Sequence, residues 1–197
     1  PPSDPSRGPG QVYTRQAFTP LGPFSREVGG GGGGGRGRIG HRRLSPEEAE
    51  VVGILGEMHA YRFLQQEFGK RSVRASAWVS ESRLKVRPLV EGEKDEISDG
   101  HGFDFRFTHQ GIRWHVEVKA TKGDDTSFDL SASEIEAAKH IARRRGDTWR
   151  WVILRVRRAL SAEPMVDWLP NPFEEGFKKY YRLNRGDMAV SYSRKRT

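Results

Sequence analysis

The segment Gly102–Thr121, GFDFRFTHQGIRWHVEVKAT, constrains the fold more than any other stretch of the chain. Gln110-Gly111 reads as a two-residue hairpin turn, which pairs His109 with Ile112 and fixes the register behind it. Phe107 then lies across from Trp114, Phe105 from Val116 and Phe103 from Val118. Side chains alternate with period two, so all six fall on one apolar face. Asp104 lands opposite Glu117 on the other face, at the roughly 4.5–5.5 Å Cβ separation of cross-strand neighbours. Lys119 projects from that same face, two residues beyond Glu117.

Facing carboxylates repel, and like charges directly opposite each other destabilise a sheet unless a cation lies between them. One acid from each strand with an adjacent lysine would cradle a hard divalent ion and an attacking water. Oxygen donors suit Mg²⁺, which keeps several waters and takes one or two protein carboxylates. The same alternation of charges also suits a solvated hairpin face.

Asp104, then Glu117-Val118-Lys119 after a hairpin, resembles the D…ExK core of the PD-(D/E)XK nuclease superfamily. The resemblance is closer to one branch, the nuclease-like domain at the C-terminus of the plant protein NO VEIN and of many bacterial proteins. The quoted signature of that branch appears here in order as Gly56-Glu57, Gly102-Phe103-Asp104, Glu117-Val118-Lys119-Ala120-Thr121, Ser131-Ala132-Ser133-Glu134, the strand Trp151–Val156 and Asn171-Pro172. It covers about Pro46 to Tyr181, and no active-site position departs from it. The resemblance implies a metal held by Asp104, Glu117 and the Val118 carbonyl, with Lys119 on the attacking water. It implies Mg²⁺, or Mn²⁺ in its place, and cleavage of nucleic-acid phosphodiester bonds; our reading puts DNA ahead of RNA. It also implies the setting of a larger bacterial defence or DNA-processing protein, of the restriction-modification or antiviral kind. It names no substrate.

Glu57 stands apart from the resemblance on its own pattern. Ser45 as N-cap, Pro46 at the first helical position, Glu48 as capping-box partner and Gly69 as stop mark a helix over 46–68. At about 100° per residue Glu57 shares a stripe with Ile54, Tyr61, Leu64 and Phe68, the face that packs on a sheet. A carboxylate there must be paired, hydrogen-bonded or metal-linked, which assigns Glu57 to the site, ordering a metal-bound water or a second ion. Glu134 reads differently: with Ser131 it forms the capping box of a second helix, and capping accounts for it fully, with the role near the metal that the resemblance allows ranking second. Arg143, Arg144 and Arg145 lie in the last turn of that helix, where cations favour the dipole. These arginines and Thr121 are also the candidates for contact with a nucleic-acid backbone.

The chain holds 34 Lys+Arg against 26 Asp+Glu in 197 residues, a net charge of +8 that suits a polyanionic partner. Part of the excess lies outside the central region, at Arg36, Arg38, Arg42, Arg43 and Arg194-Lys195-Arg196. The absence of cysteine excludes disulfides and thiolate metal sites and fits a reducing, cytoplasmic setting. No apolar run approaches the roughly 18 residues of a membrane span. Residues 1–44, with consecutive glycines from Gly29 to Gly35, read as a disordered Pro/Gly-rich linker. With no initiator Met and a linker in front, the chain is expected to be the C-terminal piece of something longer. Residues 45–193 then form the nuclease-like domain, and 194–197 a basic tail.

Within that domain the order is helix 46–68, a strand near Ala75–Ser80, a loop over Glu91–Gly100, and the hairpin strands Phe103–Thr108 and Ile112–Ala120. A short strand at Ser127–Leu130, a helix over 132–145 and a strand at Arg150–Arg157 follow. Pro164–Trp168, the NPFEEG turn and Met188–Tyr192 complete it. Val152, Leu154 and Val156 alternate with Trp151 and Ile153, so that strand is covered on both faces. The fold class is α/β: a restriction-endonuclease-like sandwich with a central mixed sheet flanked by helices. The histidines show no metal-site spacing. His101 and His115 are within reach of a scissile phosphate, but His115 is expected first as an exposed polar residue facing Arg106; Trp78 and Trp149 are expected in the core ahead of stacking on bases. The competing class is a non-catalytic module that binds nucleic acid or protein within a larger ATPase or helicase assembly, with inert carboxylates.

Overall fold

In the computed structural model the described residues are 44–86, 97–144, 148–183 and 189–194. The linker, the basic tail beyond Arg194, most of the loop over Glu91–Gly100, and Arg145 lie outside them. The first helix, α1 (Pro46–Phe68), has the boundaries its punctuation predicts. Ser45 Oγ accepts the Glu48 N–H, and the Glu48 carboxylate accepts the Ser45 N–H in return. A short helix α2 (Ser82–Lys85) follows.

The hairpin strands are β1 (Phe105–His109) and β2 (Ile112–Ala120), paired in the predicted register from His109–Ile112 to Phe105–Val116. Gln110 and Gly111 both have positive φ, which matches the turn to the right-handed twist of the strands. After β3 (Ser127–Asp129) and α3 (Ala132–Ala142) comes β4 (Trp149–Arg157), which pairs with β2 in parallel; β5 (Met165–Pro170) returns antiparallel to β4. The central sheet is therefore mixed, in the order β1-β2-β4-β5, compatible with a restriction-endonuclease-like fold. A second sheet, β3-β7-β6, is built from β3 with β6 (Tyr181–Leu183) and β7 (Ala189–Tyr192).

The alternation in β4 divides the core. Val152, Leu154 and Val156 join Val116 and Val118 against α1, where Ala60, Leu64 and Phe68 close the layer. Trp151 and Ile153 face the other way, with Ile141 and Ala138 of α3 and Phe128, Val190 and Tyr192 of the second sheet. The approach of α1 to β2 is set at Gly56, where a Cβ would collide with the Ala120 side chain. That closeness brings the neighbouring Glu57 down beside the sheet.

Two elements depart from the expectation. Ala75–Ala77 is a 3₁₀ turn, not a strand, and only Trp78 bridges to Phe105. Val73, Ala77, Trp78 and Val79 are all buried, so their run of apolar residues reflects a packed turn against the β1 edge. Phe103 does not pair with Val118, because β1 begins only at Phe105.

The Gly56 contact gives a sign reversal. Alanine is the better helix former by about 1 kcal/mol, yet Gly56→Ala must overpack the helix–sheet contact, at typically ~1–3 kcal/mol. We expect Gly56→Ala to lower the urea midpoint of unfolding, whereas Gly53→Ala, whose Cβ would meet nothing, raises or preserves it.

Candidate active site

The early end of β1 creates the site. The Asp104 N–H donates to the Val116 carbonyl at 2.9 Å, and its carboxylate accepts the Val118 N–H at 2.7 Å. Asp104 thus supplies by side chain the partner that a longer β1 would supply by backbone. The N–H and C=O of a strand residue point to the same side, so the Val118 carbonyl faces this edge as well. Phe103 crosses to the opposite face of the sheet, where its ring meets His115 edge-on at 4.6 Å and stacks on His101. The predicted apolar face therefore contains Phe105, Phe107, Trp114, Val116 and Val118, without Phe103.

Glu117 and Lys119 share the face of β2 turned to α3. The Lys119 ammonium lies 2.9 Å from Glu117 Oε1 and 2.7 Å from Glu134 Oε2. Glu134 also accepts the Ser131 N–H at 3.1 Å, so it caps α3 and holds the lysine together. Capping therefore does not account for it fully. Its local motif concealed the second contact, because the partner lies on another element. Neither Glu117 nor Lys119 is on a solvated hairpin face; Glu117 is 4 % exposed.

Glu57 approaches from α1. Its Oε2 accepts the Trp78 indole N–H at 2.7 Å and the Ser80 hydroxyl. Trp78 and Ser80 were not singled out as partners by sequence, since they reach Glu57 only through the turn that bridges Trp78 to β1.

Charge is unbalanced here. Burial, then Glu117 and Glu57, push the Asp104 carboxyl well above its ordinary range, against the Val118 N–H and Lys119. Glu117 is raised to about 8 by burial and by Glu134, against the pull of Lys119. Burial likewise raises Glu57, partly offset by Ser80, Ser82 and Trp78. Burial opposes the Lys119 charge, yet Glu117 and Glu134 together hold its proton more firmly than in water. Among the described residues, no group of three or more His, Cys, Asp or Glu side chains forms a metal cage. The donor set at the β1 edge is instead two carboxylates with an adjacent backbone carbonyl. All are hard oxygen donors with surplus negative charge, which fits an ion that retains water ligands.

His115 corrects the expectation of an exposed residue. It is 4 % exposed, stacked at 5.2 Å on Trp149, with Nδ1 3.3 Å from the Arg150 carbonyl oxygen. Burial lowers it to about 4, aided by Arg106, Arg113 and Arg144. Arg144 lies over the Trp149 ring at 4.0 Å, Arg143 ends α3 exposed to solvent, and the Thr121 N–H donates to the Val156 carbonyl. Buried Arg155, which the sequence did not flag, ties the loop after β2 to β3 through the carbonyls of Ala120, Asp125 and Ser127.

A mixed sheet that brings two carboxylates and a lysine together behind a hairpin is the arrangement of a nuclease-like module. The family model for the C-terminal region of protein NO VEIN matches residues 56–167, more than half of the chain, and the chain belongs to this family. The match runs from the Gly56 contact to Asp167 of β5, spanning all the acids described above. No curated protein and no solved structure matches the chain. No helix among the described residues is long and apolar enough to cross a membrane.

The His115 environment predicts a pH signature. Its folded-state value of about 4 lies below the unfolded reference near 6.5. The unfolded chain therefore binds more protons between these values, and this contribution, complete above about pH 6.5, is lost as pH falls towards 4. Urea unfolding of the wild type and His115→Gln should show a shallower loss of stability over that window in the variant. Parallel curves would contradict the assignment.

Proposed function

We propose that this domain is a metal-dependent phosphodiesterase of the PD-(D/E)XK type, acting on nucleic acid with DNA as the preferred substrate, as a module of a larger protein. The observation that supports it most is the side-chain bond from Asp104 to the Val118 N–H, which holds one acid beside Glu117 at the face carrying Lys119. Repulsion among buried carboxylates has no structural benefit, and a bound cation relieves it.

In this reading Asp104, Glu117 and the Val118 carbonyl hold Mg²⁺ or Mn²⁺. When bound, such an ion supplies Lewis acidity to the phosphate and activates water. Lys119 lines the same face, its ammonium paired with Glu117 and Glu134. Its role is to orient and help deprotonate the attacking water and to offset charge on the pentacovalent phosphate. Glu134 fixes the lysine in place. Glu57, held by Trp78 and Ser80, orders solvent at the inner edge of the cluster. Arg143 and Arg144 at the end of α3 and Thr121 at the end of β2 are the contacts proposed for backbone phosphates.

Burial dictates the choice of variants. Removing Lys119 as alanine would leave uncompensated buried carboxylates, a change that typically costs ~3–5 kcal/mol, so isosteric changes are the informative ones. Asp104→Asn and Glu117→Gln should each reduce Mg²⁺-dependent cleavage of supercoiled plasmid or labelled oligonucleotide by at least about a hundredfold. Calorimetric Mn²⁺ binding should be lost in parallel, with unfolding midpoints at or above wild type. Nucleic-acid affinity should survive, because it rests on Lys and Arg contacts with phosphate. If the intact parent protein cleaves no DNA or RNA with Mg²⁺ or Mn²⁺, and Glu117→Gln leaves its biological activity unchanged, the reading fails and a binding module replaces it.

A further inference from the structure

Beside the acid cluster, between α3 and the face of β2 and β4 that carries His115, lies a groove of about 440 Å³ bordered by His101, Phe103, His115, Glu136, His140 and Trp149. A second cleft of about 450 Å³ shares His115 and Trp149 with it and continues past Arg106, Thr108 and Arg113. Both volumes lie in the ~300–1,000 Å³ range of ligand sites. The walls are built by tertiary contacts. At Gly102, with φ +74°, a Cβ would collide with the Ser133 carbonyl, so the chain carrying His101 and Phe103 presses directly on the start of α3. The Trp151 indole N–H donates to the Gly102 carbonyl at 3.1 Å and fastens it there.

The groove is lined by a continuous series of rings. His101 stacks on Phe103, Phe103 meets His115 edge-on, and His115 stacks on Trp149 with planes 8° apart. Guanidinium groups lie over Trp149 from Arg113 at 4.9 Å and from Arg144 at 4.0 Å. His101 Nε2 is enclosed without a hydrogen-bond partner. Aromatic rings beside arginines are the means by which single nucleic-acid strands are held; here His115 covers one face of Trp149, and a base reaches the other where the Arg144 guanidinium, hydrogen-bonded to His140, turns from the ring to a phosphate. His115 and Glu117 project from one face of β2 two residues apart, roughly 7 Å along the strand.

We propose that this groove receives an unpaired base of a nucleic-acid strand whose phosphates lie along Arg106, Arg113 and Arg144. A single-stranded or locally opened strand, rather than an intact duplex, is thereby delivered to Asp104, Glu117 and Lys119. The proposal rests on the phosphodiesterase reading for what happens next, but not for the binding itself. A paired base would first have to be unstacked, a cost that an unpaired base does not carry. The Glu136 carboxylate at the rim is an acceptor suited to an exocyclic amino group.

The test uses the full chain in EDTA, so that cleavage does not enter. A single-stranded DNA oligonucleotide carrying 2-aminopurine is titrated by fluorescence, alongside its duplex and free AMP as competitor. We expect quenching on binding and an affinity at least tenfold above that for the duplex. Trp149→Ala should weaken the single-strand complex roughly ten- to hundredfold, the range for stacking of a base on an aromatic ring. Should Trp149→Ala disturb folding by circular dichroism, Arg144→Ala carries the test: a severalfold loss and a salt slope lower by about one. Equal affinity for strand and duplex, unquenched emission, or wild-type binding by both variants overturns the groove. Displacement by AMP at equal nucleotide concentration overturns the strand in favour of a mononucleotide pocket. A protein that cleaves with Mg²⁺ but fails these measurements loses only the groove. One that passes them and never cleaves loses only the phosphodiesterase reading.

Discussion

Where β1 would extend for another residue pair, the Asp104 carboxylate accepts the Val118 N–H at 2.7 Å instead. Much of the architecture follows from that substitution. The strand ends, the chain turns across the sheet edge, and Phe103 passes to the α3 side. The Val79 N–H reaches the Asp104 carbonyl at 2.8 Å, bringing Trp78 and Ser80 beside Glu57. The bond satisfies a backbone donor that would otherwise be unpaired at a buried edge, and it costs the burial of a carboxylate. Structure and chemistry are coupled at one residue.

The second consequence is electrostatic. Glu117 and Glu134 pair with a single buried ammonium, that of Lys119, while Asp104 lies between this group and Glu57. Burial weakens the screening that would make such proximity harmless in water, so Glu117 and Glu57 raise the proton affinity of Asp104, and Glu134 raises that of Glu117. A cluster that stores protons in this way is also one that gains most from a divalent cation. Lys119 is not available to balance every acid, because Glu117 and Glu134 already divide it.

The two ends of β2 carry opposite character. Acids gather at the β1 edge, whereas arginines gather around Trp149 at the hairpin end of the same sheet. The net charge of +8 belongs to the whole chain, and this local separation gives it direction. In the proposed reading, a polyanion drawn to the arginines would meet the acids at the point where a cation would lie between them.

Local signals were legible in the sequence. The boundaries of α1, both capping boxes, the hairpin register and the two-sided burial of β4 depend on residues within a few positions of one another, where hydrogen-bond geometry and side-chain period leave little choice. The acids and lysine of the hairpin were legible for the same reason. What the sequence alone could not decide is how distant segments meet. Ala75–Ser80 has the composition of a strand but folds as a packed turn, Glu134 reads as a cap but also grips Lys119, and His115 reads as a solvated hairpin residue but lies beneath Trp149. Each outcome depends on a partner 15 or more positions away. The tertiary structure decided them because burial and pairing are properties of a position in space, which local periodicity does not encode.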